Sequence, residues 1–171
     1  MSDTTQILVA YASKHGSTTE VADALATQLR AHGYDVDLRP AAEVRTLDSY
    51  TAVVLGGAIY MGRWHRAATG FLKRHRGRLA TTPLAVFAMG PRTLATADVV
   101  ASRIQLDKAL AAVPDLEPYA VAIFGGVIDP TGLRFPFSRM PASDARDWTA
   151  IAAFGDEVRA GLGVVSTAVP V

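Results

Sequence analysis

The fold class predicted by this sequence is an α/β three-layer sandwich around a five-stranded parallel sheet in the doubly wound order 2-1-3-4-5. Three observations predict it. Five short runs, each nearly continuous in apolar residues, recur along the chain. Longer segments with helical spacing separate them. The 171 residues, 50% of them hydrophobic, suit one domain with a proper core. Strands that are apolar along their whole length are buried on both faces, and helices between them make the sheet parallel.

The elements follow in order. Ile7–Ala12 is the first strand-length apolar run. Val21, Ala22, Leu25 and Leu29 then recur at helical spacing, and Gly33 is a stop signal. Tyr34–Leu38 alternates and reads as the second strand, and Thr51–Gly57 as the third. A helix fits Ala67–Arg78. Pro83–Ala88 is the fourth strand, opened by a proline as a strand can be. Thr96–Val113 is helical, with Val99, Val100, Ile104, Leu106 and Leu110 as candidate core residues. Tyr119–Phe124 is the fifth strand, and a last helix is expected from about Asp144 to Ala160, capped near Gly161.

Composition excludes several function classes. A formal net charge of +1 does not suit a dedicated nucleic-acid binder. With no cysteine, disulfides, thiol catalysis and thiolate-bound clusters are ruled out. The polar start Met1–Gln6 carries no basic run, and the apolar run after it is too short for a signal core or a membrane span. The default expectation is a cytoplasmic protein. Peripheral contact with the inner face of a membrane and assembly into a homo-oligomer both stay open.

In a sheet of this kind, ligands bind outside the carboxyl ends of the strands, at the switch point between the first and third. Chemistry is therefore expected after Ala12, Gly57, Ala88 and Phe124. The first position reads Ser13-Lys14-His15-Gly16-Ser17-Thr18 and opens a helix. A helix N-terminus presents unpaired N–H groups and partial positive charge. Gly16 lets the backbone approach an anion, and the hydroxyls of Ser13, Ser17 and Thr18 can donate to phosphate oxygens. The plainer alternative is that Ser17 N-caps the helix, since Ser17 and Glu20 have capping-box spacing. The loop lacks the Gly-Lys-Ser/Thr ending of a nucleotide-binding P-loop and the Gly-x-Gly-x-x-Gly of a dinucleotide site.

At these residues the chain resembles a family. Tyr11–Thr18 looks like the FMN-phosphate loop of flavodoxins, with hydroxyl residues around a glycine. Gly56-Gly57-Ala58-Ile59-Tyr60-Met61-Gly62-Arg63-Trp64-His65, continued by Phe71–His75 and by Asp147-Trp148, resembles the flavodoxin-fold menaquinone-dependent protoporphyrinogen oxidases. The resemblance implies a flavodoxin-like fold and FMN as cofactor, with Ala58, Ile59, Tyr60, Met61 and Gly62 along the flavin ring. Tyr60 or Trp64 can stack on such a ring or be packing aromatics, and His65 can bond a ligand or cap a helix.

Met89-Gly90-Pro91-Arg92 follows the fourth strand and completes the expected frame of the ring. Many flavodoxins cover the second flavin face with an aromatic here. This chain has none nearby, which suggests a more open site. Between Ser49 and Ala97 there is no acidic residue, while Arg63, Arg66, Lys73, Arg74, Arg76 and Arg78 fall in that span. Such a stretch can attract carboxylates or anionic lipid, or be a solvated helix face. From Asp129 to Ser143, Pro130, Pro136 and Pro141 exclude a helix or a central strand. Phe135, Phe137, Arg134, Arg139 and Met140 make this loop a candidate contact for a porphyrin, a quinone or another subunit. The oxidases have a longer, more basic insertion in this region.

The expected function is an FMN-dependent oxidoreductase that passes electrons from an organic or porphyrin substrate to a quinone or redox-protein acceptor. No catalytic acid or base is identified. One alternative is an electron carrier without its own substrate, and another is a flavin-free binding module. A phosphorylation receiver shares the strand order but needs acids at the strand ends, where Ala12, Ser13, Gly56 and Gly57 stand.

Overall fold

The apolar run at the start of the chain is an interior strand of the sheet, where both faces are covered. In the computed structural model, which describes residues 6–13, 16–128, 130–132 and 134–167, β1 (Gln6–Ala12) pairs in parallel with β2 (Asp35–Pro40) and β3 (Ala52–Tyr60). Beyond β3 come β5 (Leu84–Met89) and β6 (Ala120–Phe124), also parallel. The order β2-β1-β3-β5-β6 is the predicted one, with a short added strand, β4 (Arg63–Trp64), antiparallel on the end of β3.

Alternation along the strands divides the core in two. Leu8, Ala10, Val53, Leu55 and Val86 face Phe71 and Leu72 of α2 (Arg66–Arg74) and Leu106 of α4 (Thr96–Ala111). Ile7, Val9, Val54, Ala85 and Phe87 face Leu25 of α1 (Ser17–Ala31) and Phe154 of α5 (Trp148–Thr167). In this second layer Phe87, Phe124 and Phe154 meet pairwise at ring centroid distances of 5.6–6.1 Å. A Cβ on Gly56 would lie 2.0 Å from Cζ of Phe87, so the strand carries a glycine where the ring crosses it.

Four expectations need correction. The helix predicted over 67–78 is two, α2 and α3 (Arg76–Leu79), meeting at the buried His75. The last helix starts at Trp148 and runs through Gly161. That glycine is no cap: a Cβ there would lie 2.2 Å from the Tyr119 ring, whose hydroxyl donates to the Val158 carbonyl at 3.0 Å. Asp144 instead belongs to a two-stranded ribbon, β7 (Val127–Ile128) with β8 (Ser143–Asp144). Finally, Val100 and Ile104 are exposed; α4 buries Ser102 and Leu106. Each of these outcomes rests on packing between distant segments, which local sequence pattern does not carry.

Candidate functional site

The loop after β1 turns on Gly16. Its φ of 89° is left-handed, which a glycine adopts without Cβ strain. Gly16, not Ser17, is the N-cap of α1, and no side chain caps the helix. The capping-box alternative is therefore not realised: Ser17 is already helical, and Glu20 pairs with Arg146. The Gly16 N–H donates to Ser13 Oγ at 2.9 Å, which closes the turn and leaves the Ser13 hydroxyl proton available.

The first backbone bond of α1 runs from Glu20 N–H to the Gly16 carbonyl at 3.1 Å. The N–H groups of Ser17, Thr18 and Thr19 thus have no intrahelical acceptor. Thr18 is fully buried, and its Oγ1 has no hydrogen-bond partner among the described residues. A buried hydroxyl without a partner costs about 1–3 kcal/mol. N–H groups without an intrahelical acceptor, the positive end of a helix dipole and a hydroxyl without a partner among the described residues are the features that suit an anion. Lys14 and His15 lie outside the described residues.

The next strand end is a hairpin that the sequence reading did not anticipate. Tyr60 pairs with Arg63 and Ile59 with Trp64, across a two-residue turn of Met61 and Gly62. Both turn residues have positive φ, 51° and 72°, as the tight turns matched to strand twist require. Met61 is an unusual residue there, and 72% of it is exposed. Ala58 and Ile59 are half-buried at the base, and Tyr60 is at the exposed edge. Trp64 is buried; its indole N–H donates to the Gly57 carbonyl at 3.0 Å, and its ring fills the space a Cβ of Gly57 would need. This indole is held against the strand and is not available for stacking on a ligand. His65 caps α2, its Nδ1 accepting from Ala67 N–H at 3.1 Å.

At the third strand end, Met89 is buried in the α1/α5 layer, so it reaches the loop only through its backbone. Gly90 N–H donates to the Phe124 carbonyl at 3.0 Å. Pro91 is buried and Arg92 exposed. Two further backbone bonds tie the rim together: Gly126 N–H to the Pro91 carbonyl at 2.8 Å, and Ala145 N–H to the Gly126 carbonyl at 3.0 Å. A Cβ on Gly125 would strike the Ala145 carbonyl oxygen at 2.0 Å, so the segments touch backbone to backbone.

Arg146 completes this ring and was missed by sequence reasoning. Its guanidinium pairs with Glu20 in the first turn of α1 and with Asp144 at 2.7 Å, and lies over the Trp148 ring at 5.0 Å. Hydrogen bonds to Asp144 and Glu20 hold it firmly protonated, and Arg146 in turn holds the Asp144 carboxyl below its usual range. No local signal marks this pair, since 126 residues separate Arg146 from Glu20. The proline-rich excursion is thus clamped at its base by β7–β8 and by Arg146. Within it, Arg139 lies 5.2 Å from the ring centre of the exposed Phe135. Asp129 and Leu133 lie outside the described residues.

Of the basic stretch, Arg74 donates to the carbonyls of Ala41 and Val44 and Arg76 pairs with Asp115, so both have structural partners. Among the described residues no helix is long and apolar enough to cross a membrane.

Known proteins are similar to this chain in sequence or in fold. Over 84 residues the chain is 30% identical to the protoporphyrinogen IX dehydrogenase [quinone] of Escherichia coli strain K12, a match covering 48% of this chain and 46% of that protein. The matched region therefore spans about half the length of that relative. Flavodoxin 1 from Bacillus cereus superposes with a TM-score of 0.61 at 17% identity, over 91% of this chain and 97% of that one. The rubredoxin oxygen:oxidoreductase of Desulfovibrio gigas gives 0.58 at 15% identity, over 90% of this chain and 34% of that longer one. A family model described as a flavodoxin domain matches residues 8–140. With the parallel sheet in order β2-β1-β3-β5-β6 and this match over most of its length, the chain belongs to the flavodoxin domain family.

Proposed function

We propose that this chain binds FMN and acts as an oxidoreductase, with the phosphate on the Ser13–Thr18 loop and the ring between the 58–62 hairpin and the 89–92 loop. The observation that carries this reading is the Thr18 hydroxyl, buried without a partner among the described residues in the first turn of α1, whose N–H groups lack an intrahelical acceptor. A phosphate satisfies all of them at once, and the helix dipole adds about 0.3–1 kcal/mol. The donors among the described residues are neutral, and Lys14 in the same loop carries a positive charge that also favours a phosphate dianion. When bound, flavin supplies one- and two-electron transfer.

The chain's share is to orient the ring and adjust its surroundings. Ala58 to Gly62 offer backbone groups and the Tyr60 and Met61 side chains. With Trp64 buried, no other aromatic of the hairpin is left to cover the ring. The 89–92 loop offers no aromatic cover either, and an open second face suits a reaction with a flat organic substrate. Arg63 in β4 and Arg92 in the loop add positive charge at this rim, which favours an anionic substrate such as a porphyrin bearing carboxylates. The matched relative is named a protoporphyrinogen IX dehydrogenase [quinone]. By likeness, the proposed acceptor is a quinone.

The test starts with FMN. Purified protein is expected to be yellow or to bind added FMN; a chain that ignores FMN removes this reading. Oxidation of protoporphyrinogen with added menaquinone is then expected, and to be lost when the 130–141 excursion is shortened. An FMN-bound protein inactive on this pair but exchanging electrons with a redox protein would be a carrier.

A further inference from the structure

α4 is apolar on two sides. Its inner side carries Ser102 and Leu106 into the core. At 3.6 residues per turn, the opposite side presents Ala97, Val100, Ala101, Ile104 and Ala111, all exposed. Val100 is 51% and Ile104 47% exposed, and Leu94, just before the helix, is 50% exposed. The contrast with α1 is direct: there the outward residues are Glu20, Asp23, Thr27 and Arg30. A helix apolar on both sides is normally buried on both. Half of that burial is missing in the isolated chain.

The charges beside this stripe select what covers it. A lipid surface selects an excess of Lys and Arg. The exposed charges of α4 are balanced instead: Asp98, Arg103, Asp107 and Lys108. Arg103 pairs with Asp107 at 2.9 Å along one edge of the stripe. A two-fold axis brings the same patch against itself, so residue i meets j and j meets i. We propose that α4 docks antiparallel on α4 of a second copy of this chain, about a two-fold axis beside Ile104. Ile104 then meets its own mate, and Ala97 of one copy meets Ala111 of the other. Under the same operation the Arg103–Asp107 pair lies against its inverted copy, each arginine facing an aspartate. Three alanines on the stripe let the helices approach closely. One helix face is a small interface, so the dimer is weak and forms at micromolar or higher protein concentration. The inference does not depend on flavin binding.

Sedimentation velocity of the full chain, from low micromolar to near-millimolar concentration, tests it. Wild type is expected to self-associate, and Ile104→Glu to weaken this by about tenfold or more. The site is exposed, and unchanged circular dichroism and melting confirm that the variant folds. Arg103→Asp alone sets four acids together and Asp107→Arg alone sets four bases together; each is expected to be monomeric. Mixing these two variants is expected to restore a dimer, which a non-specific sticky patch does not do. Wild type that stays monomeric throughout, Ile104→Glu that associates as well as wild type, or a mixture that forms no heterodimer overturns the proposal. So does vesicle binding to phosphatidylglycerol by monomeric wild type that Ile104→Glu abolishes.

Discussion

The two ends of the candidate site are built from different materials. The α1 end uses mostly backbone: a left-handed Gly16 and helix N–H groups without an intrahelical acceptor, with one buried hydroxyl. The rim uses exposed side chains on its connections: Tyr60 at the end of β3 and Met61 in the two-residue turn after it, Arg92 on a loop, and Phe135 on a clamped excursion. Backbone donors fixed by a helix recognise one group, whatever else the ligand carries. A rim of exposed side chains can change with little cost to the fold. Under the proposed function, the α1 end decides what is held, and the rim decides what reacts. Substitutions at the first should change affinity without unfolding the chain, and those at the second should change stability or reaction with less effect on affinity.

The largest expected effect tests the first half. Ser13→Ala with Thr18→Ala should weaken FMN binding at least tenfold, or about 1.4 kcal/mol, measured by flavin fluorescence quenching. Thr18→Val sharpens the point by separating binding from stability. It should weaken FMN binding by about tenfold, yet leave the flavin-free protein about 1 kcal/mol more stable in a urea titration, because a buried unsatisfied hydroxyl is gone. A Thr18→Val protein that binds FMN normally would place the phosphate elsewhere.

Arg146→Ala tests the clamp. Glu20 and Asp144 are well exposed, so solvent screening limits the loss to about 1 kcal/mol. Proteolysis within residues 129–142 should accelerate, with FMN affinity changed less than about threefold. Met61→Gly relieves a positive φ and should stabilise the protein by about 0.5 kcal/mol net of glycine's greater unfolded freedom, with no loss of FMN affinity.

The smallest effect lies away from the site. Burial holds the His75 imidazole below its usual 6.5, and the neighbouring Arg74 charge acts in the same direction. The unfolded chain takes up this proton as pH falls through 6.5, and the folded chain resists it. Stability should therefore fall below that pH, and less steeply in His75→Asn, with the same FMN affinity at pH 7.

Much of this was readable from sequence because it rests on local pattern. Strands buried on both faces are continuous apolar runs, and five of them between helices implied a parallel sheet, whose order followed from the doubly wound fold class. Ser13, Gly16 and Thr18 stand where a strand end meets a helix start, so the proposed anion site was an expectation from topology. What was not readable depends on distant partners. Trp64 is buried because Gly57, seven residues earlier, leaves room for the indole. Arg146 finds Glu20 only once α1 and the excursion are brought together. The two-residue strands β4, β7 and β8 are too short for any period. Val100 and Ile104 carry a different lesson: their apolarity predicts burial, which the isolated chain does not supply.

The central claim is that α1 holds a phosphate. Comparing FMN with riboflavin, which has the same ring without the phosphate, tests it most directly. The account predicts that the flavin-free protein binds FMN at least about tenfold more tightly than riboflavin, and that Thr18→Val narrows the gap. Equal affinity for the two, or a gap untouched by Thr18→Val, would contradict it.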